Sequence, residues 1–157
     1  MQQLRMKPSP AVQALGALLV AHSTLTRELS KELEAEHGLT LNDWEVLMLL
    51  SNADDHEMRR VDLARQVRLS PSGITRMLDR LEAAGLVKKG FCDSDARVTY
   101  AVLTEAGMKK LEDSYPKHFA NVDRLLGAEL DADEINSLSE LLERLAEGET
   151  DCTPGTE

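Results

Sequence analysis

Residues 70–85 carry side chains suited to contact with a polyanion. Ser70 followed by Pro71 predicts the N-cap and first turn of a helix, and Gly85 predicts its end. Apolar residues at three- and four-residue spacing give this helix one buried face: Ile74, Met77, Leu78 and Leu81. The other face carries Ser72, Gly73, Thr75, Arg76, Asp79 and Arg80. Such a face suits phosphates and base edges, although an ordinary amphipathic surface helix has the same pattern.

The flanking segments place this helix in a larger motif. Residues 60–69 predict a short helix just before it, and two short helices joined by a tight turn form a helix-turn-helix. After Gly85, residues 86–91 and 97–103 read as two strands joined by a polar tip, residues 92–96. A hairpin directly behind a helix-turn-helix predicts a winged helix. Arg97 lies near its tip, where a guanidinium can enter a minor groove.

Longer helices are predicted on both sides of this motif. Ser9 and Pro10 begin the first, which extends to Gly38 and is about 40 Å long at about 1.5 Å per residue. Its apolar stripe is longer than one small domain covers, so we expect part of it to pack against a second subunit. Its members are Val12, Leu15, Leu18, Leu19, His22, Leu25, Leu29 and Leu33.

Three more features of the flanks are predicted. A Thr40–Asp43 capping box begins a largely buried helix that contains Trp44, and the polar residues 51–57 that follow read as a loop. Thr104 caps a long helix that ends at Gly127. Pro116 lies inside that helix and is expected to kink or break it. Asp131 and Glu134 form the capping box of a last helix.

The charge distribution supports a nucleic-acid partner despite a net charge of −10. Residues 59–97 carry a net charge of +4, and the rest of the chain carries −14. Because salt screens charges over roughly 8–10 Å, a basic lobe acts almost independently of a distant acidic one.

Composition excludes several classes of protein. Aromatic residues make up only 3 %, which favours a helical core over a sandwich or barrel. No apolar run approaches the roughly 20 residues that span a bilayer, and the N-terminus lacks a signal peptide. Two cysteines, Cys92 and Cys152, argue against a disulfide framework and for a cytoplasmic protein. The chain shows no nucleophile elbow, phosphate-binding glycine loop or H-E-x-x-H, so no enzyme and no cofactor are expected.

The order of elements and three short motifs resemble the MarR family of bacterial transcriptional regulators. The motifs are residues 81–87 (Leu-Glu-Ala-Ala-Gly-Leu-Val), residues 95–97 (Asp-Ala-Arg) and residues 103–107 (Leu-Thr-Glu-Ala-Gly). The resemblance implies a mainly α fold with a small β-hairpin wing. Residues 10–147 would form a single domain, with residues 10–38 and 104–147 as dimerisation helices and 40–103 as the winged-helix lobe. Residues 1–9 and 148–157 would be flexible.

The resemblance also implies function. A homodimer would bind a near-palindromic double-stranded DNA operator, usually as a repressor, and a small aromatic or phenolic effector would loosen that binding. Base-edge contacts are expected from Ser72, Gly73, Thr75 and Arg76 after the Ser70 cap, and phosphate contacts from Arg80, Lys88 and Lys89. In the wing, Arg97 is expected in the minor groove and Asp95 is expected to position it by a salt bridge.

Three alternatives remain open from the sequence. His22 and Trp44 could line an effector pocket, but an interface histidine and a core tryptophan are the simpler interpretations. Cys92 lies near Lys88 and Lys89, which could lower the pKa of its thiol for a redox response. The histidines show no ligand spacing for a metal, so no metal site is predicted. A winged helix that binds a protein partner is the third alternative.

Overall fold

The computed structural model describes residues 7–92 and 95–147 and is mainly helical with one small sheet. This confirms the predicted winged-helix fold. In chain order the elements are α1 (Pro10–His37), α2 (Leu41–Asn52), a 3-10 turn (Asp54–His56), β1 (Glu57–Arg59), α3 (Arg60–Gln66), α4 (Pro71–Ala83), β2 (Val87–Cys92), β3 (Asp95–Leu103), α5 (Glu105–Gly127) and α6 (Ala132–Glu147).

Side-chain caps set the helix starts that the sequence predicts. The Ser9 hydroxyl accepts from the Val12 amide at 3.3 Å, and the Ser70 hydroxyl accepts from the Gly73 amide at 3.1 Å. At α6, Asp131 and Glu134 each accept from the other's amide at 2.9 Å. Gly85 follows α4 at φ +73°, a left-handed conformation that other residues adopt only with strain. These boundaries confirm the predicted limits of α1, α4 and α6.

The sheet has three antiparallel strands in the order β1-β3-β2, one more than predicted. The expectation of a loop over residues 51–57 is wrong at both ends. Ser51 still belongs to α2, and Glu57 begins β1, where it pairs with Val102. A three-residue strand is too short to show an alternating pattern, and its pairing with β3 depends on residues more than forty positions away.

A core of aliphatic side chains holds the helix-turn-helix against the sheet. The most deeply buried come from α2, α3 and α4: Val46, Leu47, Leu50, Leu63, Ile74 and Leu81. Leu103 of β3 and Leu111 of α5 belong to the same cluster. The buried face of α4 therefore packs against several other elements. This packing sets the direction in which the opposite face of α4 points.

Helix α5 continues through Pro116. Of the two expectations for this residue, the break is wrong and the kink stays a prediction. The chain divides by packing into two compact units, one ending at His118 and the other beginning at Phe119. Helix α3 is also shorter than predicted, because residues 67–69 form the turn before α4. In that turn Arg68 has φ +53°.

Candidate nucleic-acid interface

Helix α4 exposes the polar face that the sequence predicts. Ser72, Arg76, Asp79 and Arg80 are exposed, whereas Gly73 and Thr75 are half-buried. The Thr75 hydroxyl donates to the Pro71 carbonyl at 2.7 Å, so its lone pairs remain to accept from a ligand. A Cβ at Gly73 would lie 3.1 Å from the Ser70 hydroxyl oxygen, so glycine leaves room for the cap at this position.

Arg80 has a partner inside the protein, which the sequence analysis did not foresee. Its guanidinium donates to one carboxylate oxygen of Asp43, whose side chain is only 3 % exposed. The other carboxylate oxygen accepts from the Thr40 amide at 2.9 Å and completes the capping box of α2. Asp43 thus joins the start of α2 to the last turns of α4. This contact holds α4 in place and competes with the predicted phosphate contact of Arg80.

Lys89 likewise binds carboxylates on α4. Its ammonium lies 2.9 Å from a Glu82 oxygen and 3.1 Å from an Asp79 oxygen, which ties β2 to α4. These two carboxylates, Glu82 most strongly, raise the pKa of Lys89 above its usual value. Lys88 is exposed and makes no ion pair within the described part of the chain. Of the two lysines, Lys88 therefore has the more available charge for a phosphate.

For three predicted residues of the wing, the structure describes the backbone but not the side chain. Asp95 and Arg97 belong to the backbone of β3, and Cys92 ends β2, but their side chains are not among those described. The expected roles of Arg97 in the minor groove and of Asp95 as its partner stay predictions, and the redox alternative for Cys92 stays open.

A close backbone contact that the sequence analysis missed fixes the end of α4 to the start of α5. The Thr104 amide donates to the Leu86 carbonyl at 3.1 Å, and the Thr104 hydroxyl accepts from the Gly107 amide at 3.0 Å. A Cβ at Gly107 would lie 2.1 Å from the Leu86 carbonyl oxygen. Glycine is therefore required at this position. The Leu-Thr-Glu-Ala-Gly motif contains this glycine, but the motif does not reveal that Leu86 is the residue that packs against it.

Trp44 lies in a buried polar and aromatic cluster. Its indole N–H donates to the Ser114 hydroxyl at 3.0 Å, and its ring centroid is 4.2 Å from that of His118 and 5.9 Å from that of Tyr115. Burial lowers the pKa of His118 below its usual range, and the Glu32 carboxylate offsets part of that shift. The exposed fraction of Trp44 is 4 %, as expected of a core tryptophan.

An open cleft of about 380 Å³ lies beside the end of α4, and Trp44 does not line it. Leu39, Ala84, Leu86 and Ala106 give it apolar walls, and His37, Lys109, Lys110 and Asp113 surround them. His22 is exposed on α1 and does not line this cleft.

The described residues contain neither a cluster of metal ligands nor a helix able to cross a membrane. Within 7–92 and 95–147, no three His, Cys, Asp or Glu side chains are placed to hold a metal ion. None of the helices in those ranges combines the length and apolar character that a bilayer crossing requires.

Comparison with known proteins identifies the family. The MarR family model matches residues 39–99, from just before α2 into β3. AbsC, a MarR family transcriptional regulator from Streptomyces coelicolor, is 34 % identical with a TM-score of 0.80, and the match covers 91 % of this chain and 97 % of AbsC. The chain belongs to the MarR family of transcriptional regulators. The members of this family are regulators rather than enzymes, as the sequence predicts.

Two further MarR-type relatives bear on function. The HTH-type transcriptional repressor YetL of Bacillus subtilis is 30 % identical over 115 residues, which cover 71 % of this chain and 69 % of YetL. A mutant of MarR from E. coli, solved in complex with operator DNA, is 26 % identical with a TM-score of 0.74. That match covers 84 % of this chain and 93 % of MarR.

Proposed function

We propose that this MarR-family chain is a cytoplasmic, homodimeric repressor that binds a near-palindromic DNA operator and releases it when a small aromatic or phenolic effector binds. The observation that carries this proposal is the exposed polar face of α4. Four buried side chains on the opposite face hold it outward: Ile74, Met77, Leu78 and Leu81. A helix held in this way can enter a major groove as a rigid element.

The side chains on and beside α4 divide into two DNA-contacting groups. Ser72, Gly73, Thr75 and Arg76 follow the Ser70 cap and are proposed to contact base edges, because the N-terminal part of a recognition helix enters the groove. Phosphate contacts are proposed for Lys88 and for Lys89, with Lys89 first leaving its carboxylates. In the wing, Arg97 is proposed to enter the minor groove and Asp95 to position it by a salt bridge. The complex of the related E. coli MarR with operator DNA supports DNA as the ligand of this chain.

Exposed apolar stripes support a homodimer. On α1, Val12, Leu15 and Leu19 are 57–60 % exposed at helical spacing. On α6 the same spacing exposes Leu138, Leu141, Leu142 and Leu145. Contiguous apolar stripes of this kind mark interaction surfaces in soluble proteins. A two-fold dimer would bury such stripes against the partner subunit, and its operator would carry half-sites about 34 Å apart, one turn of DNA.

The cleft beside α4 is the proposed effector site, in preference to Trp44 and His22. Trp44 is buried with its N–H already bonded, and His22 lies on the α1 stripe proposed for dimerisation. The cleft offers apolar walls and two lysines, which suit an aromatic ring carrying a phenolate or carboxylate. A ligand there would contact Ala84 and Leu86, the residues that follow α4, and could change its position. The name of YetL, a repressor, supports the regulatory sign.

The proposal is tested by binding of the purified protein to the DNA upstream of its own gene and to random DNA of equal length. Binding should prefer the upstream fragment and weaken steeply with salt, because phosphate neutralisation releases counterions. Phenols and aromatic carboxylates should then release the wild-type complex but not that of Lys110→Ala. Equal, weak binding to both fragments would contradict the proposal and favour a protein partner for the winged helix.

A further inference from the structure

Phe91 is a large aromatic side chain that is exposed instead of packed in the core. The chain has only five aromatic residues, one Trp, two Tyr and two Phe, yet the exposed fraction of Phe91 is 66 %. It lies on β2, next to a register shift between Phe91 and Cys92 where the regular pairing with β3 ends. An isolated exposed apolar residue needs no explanation, so the surroundings of Phe91 are more informative than its exposure.

The strand register shows which face of the wing carries Phe91. Val87 pairs with Leu103, Lys89 with Ala101, and Phe91 with Thr99. Alternate residues of a strand share one face of a sheet. Val87, Ala101 and Leu103 are buried in the core, so Phe91 belongs to the core-facing side of the sheet but lies beyond the core, roughly 7 Å along the strand from Lys89 at about 3.3 Å per residue.

That face of the wing adjoins the exposed face of α4. Lys89, on the same face as Phe91, reaches across to Asp79 and Glu82 of α4. Thr99, the cross-strand partner of Phe91, lines a narrow groove together with Thr75 and Asp79. The face of the wing that carries Phe91 therefore continues into the polar face of α4, which the proposed function assigns to DNA.

We propose that Phe91 is a further DNA-contacting residue, whose ring packs against a deoxyribose of the DNA bound to α4. The inference rests on the proposed function. Lys89, on the same face, would bring a phosphate close once it leaves its carboxylates, and the apolar face of the neighbouring deoxyribose lies next to that phosphate. An apolar contact strengthens binding without neutralising a phosphate.

Salt dependence separates this contact from the ionic ones. Affinity for the upstream fragment would be measured for wild type, Phe91→Ala, Phe91→Tyr and Lys88→Ala at several salt concentrations. Phe91→Ala should weaken binding by about 5- to 30-fold, the scale expected when a large apolar side chain loses a partly buried contact, and leave the slope of log affinity against log salt unchanged. Phe91→Tyr should restore most of the affinity. Lys88→Ala should instead reduce the slope by about 0.9.

Each other outcome has one meaning. Wild-type affinity in Phe91→Ala, or a slope that changes as in Lys88→Ala, would overturn the inference while the proposed function stands. A lower mass of Phe91→Ala in sedimentation would assign the ring to a contact between copies and would also overturn it. If wild type itself fails to prefer the upstream fragment, the proposed function fails and the inference falls with it. Thermal midpoints equal to that of wild type would show that the variants fold.

Discussion

Replacement of Arg80 by alanine tests whether this residue holds α4 in place or serves the DNA directly. The guanidinium donates to the buried Asp43 carboxylate, whose second oxygen caps α2. In Arg80→Ala the first oxygen loses its donor, and the charge of Asp43 loses its partner. Arg76, one turn earlier on the same helix, is exposed and makes no ion pair among the described residues, so Arg76→Ala is the matched control.

The size of the effect follows from the burial of each partner. An unsatisfied buried acceptor costs about 1–3 kcal/mol, and a fully buried pair broken on one side costs about 3–5 kcal/mol. The Arg80 side chain is 59 % exposed, so water can enter where the guanidinium was. We therefore expect Arg80→Ala to lower the free energy of unfolding by about 2 kcal/mol and the thermal midpoint by about 4–8 °C. Arg76→Ala should change it by less than about 0.5 kcal/mol.

Urea unfolding at pH 7, followed by the fluorescence of the single tryptophan, measures this directly. All variants are compared at one protein concentration, because dimerisation would contribute to stability. In an Asp43→Asn background, Arg80→Ala should cost about 0.5 kcal/mol, a coupling of about 1.5 kcal/mol. A coupling near zero, or equal losses for the Arg76 and Arg80 variants, would refute the assignment of Arg80 to a positioning role.

Three other predictions concern packing, protonation and charge. Gly107→Ala should cost about 1–3 kcal/mol in urea unfolding because its Cβ would meet a carbonyl oxygen, whereas Gly127→Ala, with open space around it, should not destabilise. His118→Gln should flatten the loss of thermal stability below about pH 6.5, because burial lowers the pKa of His118 and the unfolded chain binds that proton more tightly. Lys88→Ala should reduce the salt dependence of DNA binding more than Lys89→Ala, because only Lys89 is already paired.

A different result would contradict each of these three predictions. A Gly107→Ala protein as stable as wild type would mean that the joint between α4 and α5 yields at little cost. For His118, stability between pH 7 and 5 that falls equally in the variant would assign the loss to other groups. Equal salt slopes for the two lysine variants would show that the Lys89 ion pairs do not limit its contact with phosphate.

Local signals made most of the fold predictable. Caps act within three residues, so Ser9, Thr40, Ser70 and Asp131 specify helix starts that can be found without knowledge of the rest of the chain. Strand β1 was missed because three residues acquire strand character only through pairing with β3. The break expected at Pro116 does not occur, since a helix can lose one backbone hydrogen bond and continue.

The sequence predicts which side chains form the site. It predicts less well which residues those side chains contact. The pattern of α4 alone predicts which side chains are exposed. It does not reveal that Arg80 meets Asp43, 37 positions away, or that Lys89 meets Asp79 and Glu82, because ion pairs across elements depend on tertiary packing. A rule that assigns every cation near a recognition helix to phosphate therefore overcounts the available charges.

Reading of DNA sequence by the exposed face of α4 can be measured as the ratio of the affinities for upstream and random DNA. The ratio would be measured for wild type, Arg76→Ala and Lys88→Ala at one salt concentration. We predict that Arg76→Ala lowers this ratio by a factor equivalent to about 1–3 kcal/mol. Lys88→Ala should weaken both affinities and leave the ratio unchanged. An unchanged ratio in Arg76→Ala, with wild type strongly preferring the upstream fragment, would contradict such reading of sequence by α4.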